Sequence, residues 1–541
     1  MLAYMLTSFW VNIPVIFRPF PVQSIRLFAM NTRRSNKTQF IITVLASPMF
    51  YRVVVGFFVL QALWLALSSV YPMAFDEDFH FGIIKIYSHH WLPFLSQQPA
   101  GANMYGDVLH DPSYLYQYLM SFPYRVIEVF TKDQTTQVIC LRLINIALFT
   151  YALVLSRRLL LRARVSPAVA NVTILLFVLI PIVPLLAATI NYDNLTMVFV
   201  AWICLVMADI IQDIQDKRIP IHRLGVLAIL CLLGSIVKYP FIPIAAACVI
   251  TTVVLWWHTF HGSGQGSTRR AIKASYTKLS ITTKLALPIL VLVSFGLFSQ
   301  RYLFNLAAYR APIPRCDKVL SVDDCMSYGP WARNYTDIQY KSTAFHAHIT
   351  TFIPEWFYGI WYRLFFAING NVGTPDWARY ETIPPLPYPS ITAIVITVAT
   401  IILIVRWGRL IFRNDWLMSL FLFMTILYVG ALFATDYTGY AHTGQPVAIN
   451  GRYLLPLLLP IAAISARAWQ ATLSHLPSVK VALVFVVLLL SLQGGGVLTF
   501  MIDSNYTWYW PNPTVQSVNR TAQNVTRKIV LSHQPLHLRY P

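Results

Sequence analysis

The chain has 541 residues, 57% of them hydrophobic and 11% charged, whereas a soluble globular protein carries about 25% charged residues. With a mean hydropathy of +0.57, this composition excludes a soluble domain and points to a polytopic membrane protein. The formal charge of +20 does not imply nucleic acid as a partner, because the basic residues fall in short clusters between apolar runs rather than along one polar domain.

Residues 1–49 read as a cytoplasmic or interfacial segment. No charged start precedes an apolar core, and Pro14, Pro19 and Pro21 interrupt the apolar part, so a cleavable signal does not fit. Either this stretch lies along the inner interface or Met30 marks the start. A bilayer crossing needs about 17 to 25 apolar residues. Eleven runs qualify, near 50–71, 137–156, 168–189, 195–211, 223–238, 240–257, 285–305, 389–405, 416–435, 453–469 and 479–502. If Arg26, Arg33, Arg34 and Lys37 are cytoplasmic, alternate loops should also be basic. They are, at Arg157–Arg164, Lys217–Arg223, Arg269–Lys278 and Arg406–Arg413, which satisfies the positive-inside rule.

The expected fold class is therefore an all-α polytopic membrane protein of about 11 transmembrane helices over residues 50–502, with 503–541 an exoplasmic tail. Two long, partly helical exoplasmic loops, about 72–136 and 306–388, carry many Trp, Tyr, Pro and charged residues. Loops of that kind are folded and functional rather than linkers, so the chemistry is expected outside.

Four short patterns sit at helix–loop junctions. Asp76-Glu77-Asp78-Phe79-His80 directly follows the first apolar run; acids crowded at a membrane boundary either take a proton from a hydroxyl or hold a divalent cation, unless they only cap an interfacial helix. His110-Asp111-Pro112 precedes the second run, and Pro112 keeps Asp111 extended so that its carboxylate can face the first cluster or serve as an N-cap. Asn191-Tyr192-Asp193-Asn194-Leu195 is weak as a pattern, since a turn needs only polar residues, but it places Asp193 close to the membrane. Asn450-Gly451-Arg452-Tyr453-Leu454-Leu455-Pro456 opens the tenth run, where a guanidinium fork suits phosphate oxygens, or snorkels as an anchor.

Cys140, Cys204, Cys231 and Cys248 lie in apolar runs as small hydrophobes, while Cys316 and Cys325 share the second outer loop as a candidate disulfide or two thiols. The outer histidines His80, His89, His90, His110, His346, His348 and His442 include no HExxH pair, and no cysteine pair has zinc-ligand spacing.

Taken together and in this order, over about residues 50–470, these patterns resemble the GT-C superfamily of integral-membrane glycosyltransferases, and within it a bacterial polytopic family marked by DExxH, NxDxL and QGRYLLP-type elements. Departures are the third acid Asp78, Asn450 in place of Gln, and only a loose match at Asn369–Gly373 to a Gly-rich loop. The resemblance implies a GT-C-like bundle in the bacterial inner membrane, multi-pass, with its site facing the periplasm or exterior. It implies transfer, with inversion, of a sugar from a polyprenyl-phosphate donor to a glycan, lipid or protein acceptor. Asp76 is then the expected base, with Glu77 next; His80, Asp111 and Asp193 position acceptor or base; Arg452 and Tyr453, with Lys341 and Arg363 from the second loop, hold the donor phosphate. A divalent cation, Mg or Mn, is a possible cofactor, its ligands unassigned. The competing expectations are a transporter or flippase for a lipid-linked glycan, and a glycan polymerase or ligase.

Overall fold

The computed structural model describes residues 36–261, 272–273, 275–277, 279–343, 345–365, 368–371, 380–383, 386–447, 449–474 and 476–531. The expectations for residues 1–35, including Met30 as a start, fall outside the described residues. Met1–Ile41 form one unit and Ile42–Pro541 another; of the first, only the helical residues 36–41 are described.

Among the described residues the second unit is mainly helical, with one antiparallel strand pair, Ile368–Asn371 with Tyr380–Ile383. The elements used below are α1 (Pro48–Ser68), α2 (Glu77–Ser88), α3 (Leu115–Phe130), α4 (Gln134–Arg162), α5 (Asp193–Gln215), α6 (Ile221–Val237), α7 (Ile242–Phe260), α8 (Ile281–Tyr309), α9 (Ile349–Phe365), α10 (Trp416–Thr443) and α11 (Leu455–Leu473). Local chemistry sets several starts. Ser47 accepts from Phe50 N (3.1 Å) ahead of Pro48, Asp133 from Thr136 N (2.8 Å), and Asp415 from Met418 N (3.2 Å), so first-turn N–H groups that lack a helical partner are satisfied.

Among the described residues, nine helices are long and apolar enough to cross a bilayer. The expected count of eleven is not reached by length. The run near 168–189 is two short helices, Pro167–Val178 and Ile182–Ala187, because Pro181 and Pro184 remove donors at the join. The run near 223–238 is α6, of 17 residues. The break after Val178 is used: the Leu179 carbonyl accepts from Gly496 N at 2.6 Å, and Gln61 Oε1 accepts from Val497 N at 2.9 Å. At Gly496 (φ +61°) an added Cβ would lie 1.9 Å from Gln61 Oε1, so only glycine lets these segments meet.

The described residues 504–531 pack back on the bundle. Val70 N donates to the Trp508 carbonyl (2.9 Å) and Trp510 N to the Ser68 carbonyl (3.0 Å), pairing the segment after Asp503 with the one that leaves α1. The helix Pro513–Leu531 is fastened by Gln523 and Arg527, which donate to carbonyls of Ile502 and Ser504.

The bundle has two chemically distinct ends. At one, Arg162, Arg218 and Arg223 pair with Asp209, Asp213 and Asp216. Asp193 begins α5 at the other, about 24 Å away at 1.5 Å per residue.

Candidate functional site

The loop from Ser69 to Glu77 is organised from below by a buried ion pair. Glu77 and Arg142, both with fully buried side chains, meet at 2.7 and 2.8 Å. Arg142 also donates to the carbonyls of Ala66 (3.1 Å) and Ser69 (2.7 Å), while Glu77 accepts from Met73 N (2.7 Å) and Ile190 N (3.2 Å). Charges out of water persist only when paired and hydrogen-bonded in this way. Glu77 therefore has no free oxygen turned to a ligand, and the expectation that it stands second to Asp76 as reacting acid is corrected: it is part of the frame.

That frame forces the chain into an unusual shape. Phe75 and Asp76 both take left-handed backbone conformations, φ 71° and 63°, which L side chains adopt only at a cost and which cluster at functional sites. Asn191 holds the turn by donating to the Phe75 carbonyl (2.7 Å), and its own side-chain oxygen accepts from Asp193 N (2.8 Å). The NxDxL element thus acts as a brace, and α2 begins at Glu77 with His80 N bonded to the Asp76 carbonyl (3.0 Å).

Asp76 Oδ2 receives Arg452 Nη2 at 2.5 Å, joining residues 376 positions apart. Arg452 is carried by the tight turn Gly451–Leu454. A Cβ on Gly451 would sit 2.4 Å from Leu364 N and 2.6 Å from the Ile360 carbonyl of α9, so glycine lets the turn press against α9 and sets where the arginine emerges. The guanidinium lies near the rings of Phe75 (5.1 Å) and Tyr453 (5.2 Å). Its Nε and Nη1 are buried with no hydrogen-bond partner. A buried donor on a charged group left unmade is costly, and a guanidinium presents those donors in the geometry an oxyanion accepts. Arg125 also has unpaired buried nitrogens, but it stacks on Trp91 (4.4 Å) and has no carboxylate partner among the described residues. Asp76 keeps 48% of its side-chain surface reachable against 9% for Arg452, so solvent approaches the pair from the carboxylate side, through an otherwise crowded recess. Loss of water pushes the Asp76 carboxyl up, but the charge and hydrogen bond of Arg452, with smaller help from Lys238, hold it below the usual carboxylate range.

Beside this pair lies a second. Lys238 Nζ contacts Asp193 Oδ1 at 2.5 Å, both buried, and Asp193 Oδ2 has no partner. The ammonium lies over the rings of Tyr192 (4.6 Å) and Tyr453 (5.1 Å), so Tyr453 is flanked by Lys238 and Arg452. His80 packs edge-on against Tyr192 (4.5 Å). With the Gln117 amide donating to the carbonyls of Ser113 and Tyr114, its oxygen accepts from His80 Nδ1 at 3.1 Å. Burial, more than the neighbouring cations, pushes the His80 imidazole down to about 3, against the opposing pull of Asp76. His80 is therefore neutral. Of the residues singled out in sequence, Asp76, His80, Asp193, Arg452 and Tyr453 converge here.

Others stand apart. Asp111 accepts from Ser113 N (2.8 Å) and has no hydrogen bond to Asp76 or His80 among those described; burial pushes its carboxyl up. Lys341 donates to the Ala441 carbonyl (3.1 Å), beside Gly444 and Phe345, and Arg363 to the Ile449 carbonyl. Neither has a contact with Asp76 or Arg452 among those described, and Arg363 reaches the arginine turn through backbone. Cys316 and Cys325 are disulfide-bonded. Among the described residues, no three or more His, Cys, Asp or Glu gather as metal ligands.

Lys238 and Arg142 were missed as site residues. Both carried a signal, a lone cation at or inside an apolar run, which calls for a named partner. No family model matches the chain, and no curated protein matches it in sequence.

Proposed function

We propose that the chain is a membrane-embedded glycosyltransferase that moves a sugar from a polyprenyl-phosphate carrier to a hydroxyl acceptor, working on the side of the membrane away from the basic helix ends. The observation that carries the proposal is Arg452, buried, with two nitrogens lacking any partner, and ion-paired to a carboxylate that solvent can reach. An apolar bundle end with an unfilled oxyanion fork beside an accessible base suits a lipid phosphate leaving group and a hydroxyl nucleophile.

In this reading the donor phosphate takes the free N–H groups of Arg452, and Lys238 adds positive charge beside Tyr453. The phosphate then competes for the guanidinium that holds Asp76, so donor binding loosens Asp76 and strengthens it as a base. The acceptor O–H proton passes to Asp76. The acceptor oxygen forms a bond to the anomeric carbon as the carbon–oxygen bond to phosphate breaks, its electron pair leaving on the phosphate, and in-line attack inverts that carbon. Developing charge on the phosphate is met by donors already in place. Arg452 and Lys238 supply the charge that a divalent cation would otherwise bring, and no step here depends on a metal.

The test uses purified protein in lipid nanodiscs. Asp76→Asn should fold and bind a polyprenyl phosphate yet lose transfer from a polyprenyl-phosphate sugar; Arg452→Gln should lose the phosphate lipid. Unchanged turnover in Asp76→Asn sinks the assignment. Accumulation of a labelled lipid-linked sugar in proteoliposomes without covalent transfer would favour the flippase reading, which the buried Lys238–Asp193 pair also suits.

A further inference from the structure

The disulfide-closed segment of the second long loop, with Tyr328 just after it, packs against the first. Asp324 Oδ1 accepts from Asn103 Nδ2 at 2.7 Å. Three residues after Cys325, Tyr328 starts the helix Gly329–Tyr340 and packs its ring on Gly106, where a Cβ would lie 3.0 Å from the ring and φ is +73°. Tyr328 N is bonded to the Cys325 carbonyl (3.0 Å), so the tyrosine is held on a short arm closed by the Cys316–Cys325 bond.

The ring does not stand alone. Phe79, on the first turn of α2, lies 6.2 Å from Tyr328 and 6.1 Å from Tyr105. Tyr105 in turn lies on Gly82, where any side chain would meet its ring at 2.1 Å. All three rings are half-buried, and the exposed carboxylates of Asp76 and Asp78 come from the same two turns of chain. The charge of Asp78 is felt at the Tyr105 hydroxyl, and that of Asp76 and Asp111 at Tyr328, after burial, which is the larger influence on each phenol.

We infer that Tyr328, Phe79 and Tyr105, with Asp78, form an acceptor subsite beside Asp76 that takes a pyranose ring. A pyranose has an apolar C–H face that rests on aromatic surface and a rim of hydroxyls that donate to carboxylates; this cradle offers both. A prenyl chain would bring no hydroxyl to the exposed Asp78 carboxylate. A cationic ligand would be repelled by Arg452 and Lys238, which already neutralise Asp76 and Asp193. The inference rests on the transferase reading for its meaning: the sugar bound here presents the hydroxyl that Asp76 deprotonates, so the acceptor is a glycan.

The probe is a set of methyl hexopyranosides at millimolar concentration, added to the full chain in nanodiscs and read by saturation-transfer-difference NMR. Saturation should reach the pyranoside ring C–H protons in the wild type. Tyr328→Leu, which keeps bulk but removes the π face, should weaken binding about five-fold, and Tyr328→Phe should retain it. Phe79→Leu should follow Tyr328→Leu, so the test does not rest on the folding of one variant. Equal binding by wild type and both leucine variants overturns the cradle, as does preferential binding of a lysine-rich peptide. A polyprenyl phosphate is titrated into the same preparations. A wild type that binds the phosphate lipid but no pyranoside refutes the subsite and leaves the phosphate clamp standing; the opposite pattern refutes the clamp.

Discussion

Asp76 and Glu77 are neighbours in sequence, and each meets an arginine from a distant part of the chain, yet the two pairs have opposite physical character. Glu77–Arg142 is fully buried, bidentate and bonded to four further backbone groups within 3.2 Å. Asp76–Arg452 has a single contact, a half-exposed carboxylate and two idle guanidinium nitrogens. The first has no unmet hydrogen-bonding demand and therefore nothing to offer a ligand. The second is incomplete, and incompleteness at a buried cation is what marks a binding site.

The largest effect expected from that contrast is on folding. Arg142→Met leaves Glu77 charged and unpaired in the interior, a loss of about 3–5 kcal/mol, and it removes the donors that hold the end of α1. The protein should fail to accumulate or should melt far lower in detergent. Combining Glu77→Gln with Arg142→Met should recover part of the loss, because the orphaned charge is gone. If Arg142→Met alone melts like the wild type, the frame is misassigned.

The matching change at the other pair should spare the fold and remove the chemistry. Asp76→Asn is expected to slow transfer by about 10²–10⁴-fold, the range for loss of a positioned general base, with a melting temperature that falls far less than in Arg142→Met, because the side chain is half-exposed and the asparagine oxygen can still accept from Arg452. Phosphate-lipid binding should be retained or tighter, since Arg452 loses its competitor. A melting temperature that falls as far as in Arg142→Met would erase the distinction between the two pairs.

A smaller effect belongs to Lys238. Lys238→Met, combined with Asp193→Asn so that no buried carboxylate is orphaned, should weaken binding of a polyprenyl phosphate about ten-fold, the value of one hydrogen bond to a charged group, while Lys341→Met, whose ammonium is used at the Ala441 carbonyl, should not. Equal losses would restore Lys341 to the phosphate site that its sequence position first suggested.

Apolar runs and basic clusters made the helical architecture legible in sequence, because span length and hydropathy are local properties. What they could not give was the division of labour within Asp76–His80. Composition treats Asp76 and Glu77 alike; only the Asn191 brace and the two successive left-handed residues turn one carboxylate outward and the other inward. Lys238 lies at the end of an apolar run, where sequence gives a lone cation no partner, yet Tyr192 and Tyr453 meet it there from two other elements. Lys341 and Arg363 looked suitable as outer-loop cations, but each donates to a nearby backbone carbonyl. The pairing of Trp508–Trp510 with Ser68–Val70 had no precursor in the pattern, since a short strand-like contact between segments far apart in sequence leaves no periodicity.

The last test separates the interior of the site from its mouth by pH. His80 is held neutral, its imidazole pushed down to about 3 chiefly by burial, whereas in the unfolded chain it titrates near about 6.5. Between those values the unfolded state binds the extra proton, so stability falls as pH falls, by up to about 1.4 kcal/mol per pH unit. Asp76 behaves differently: its lowered carboxyl contributes stability that is present above the unfolded value, about 3.9, and is lost only as pH falls through the folded one. From about pH 6.5 to 5, then, the melting temperature of the wild type should decline with acid. The decline should be smaller in His80→Gln and unchanged in Asp76→Asn. A slope that disappears in Asp76→Asn and persists in His80→Gln would mean that the acid-sensitive group in this range is the half-exposed carboxylate and not the buried imidazole.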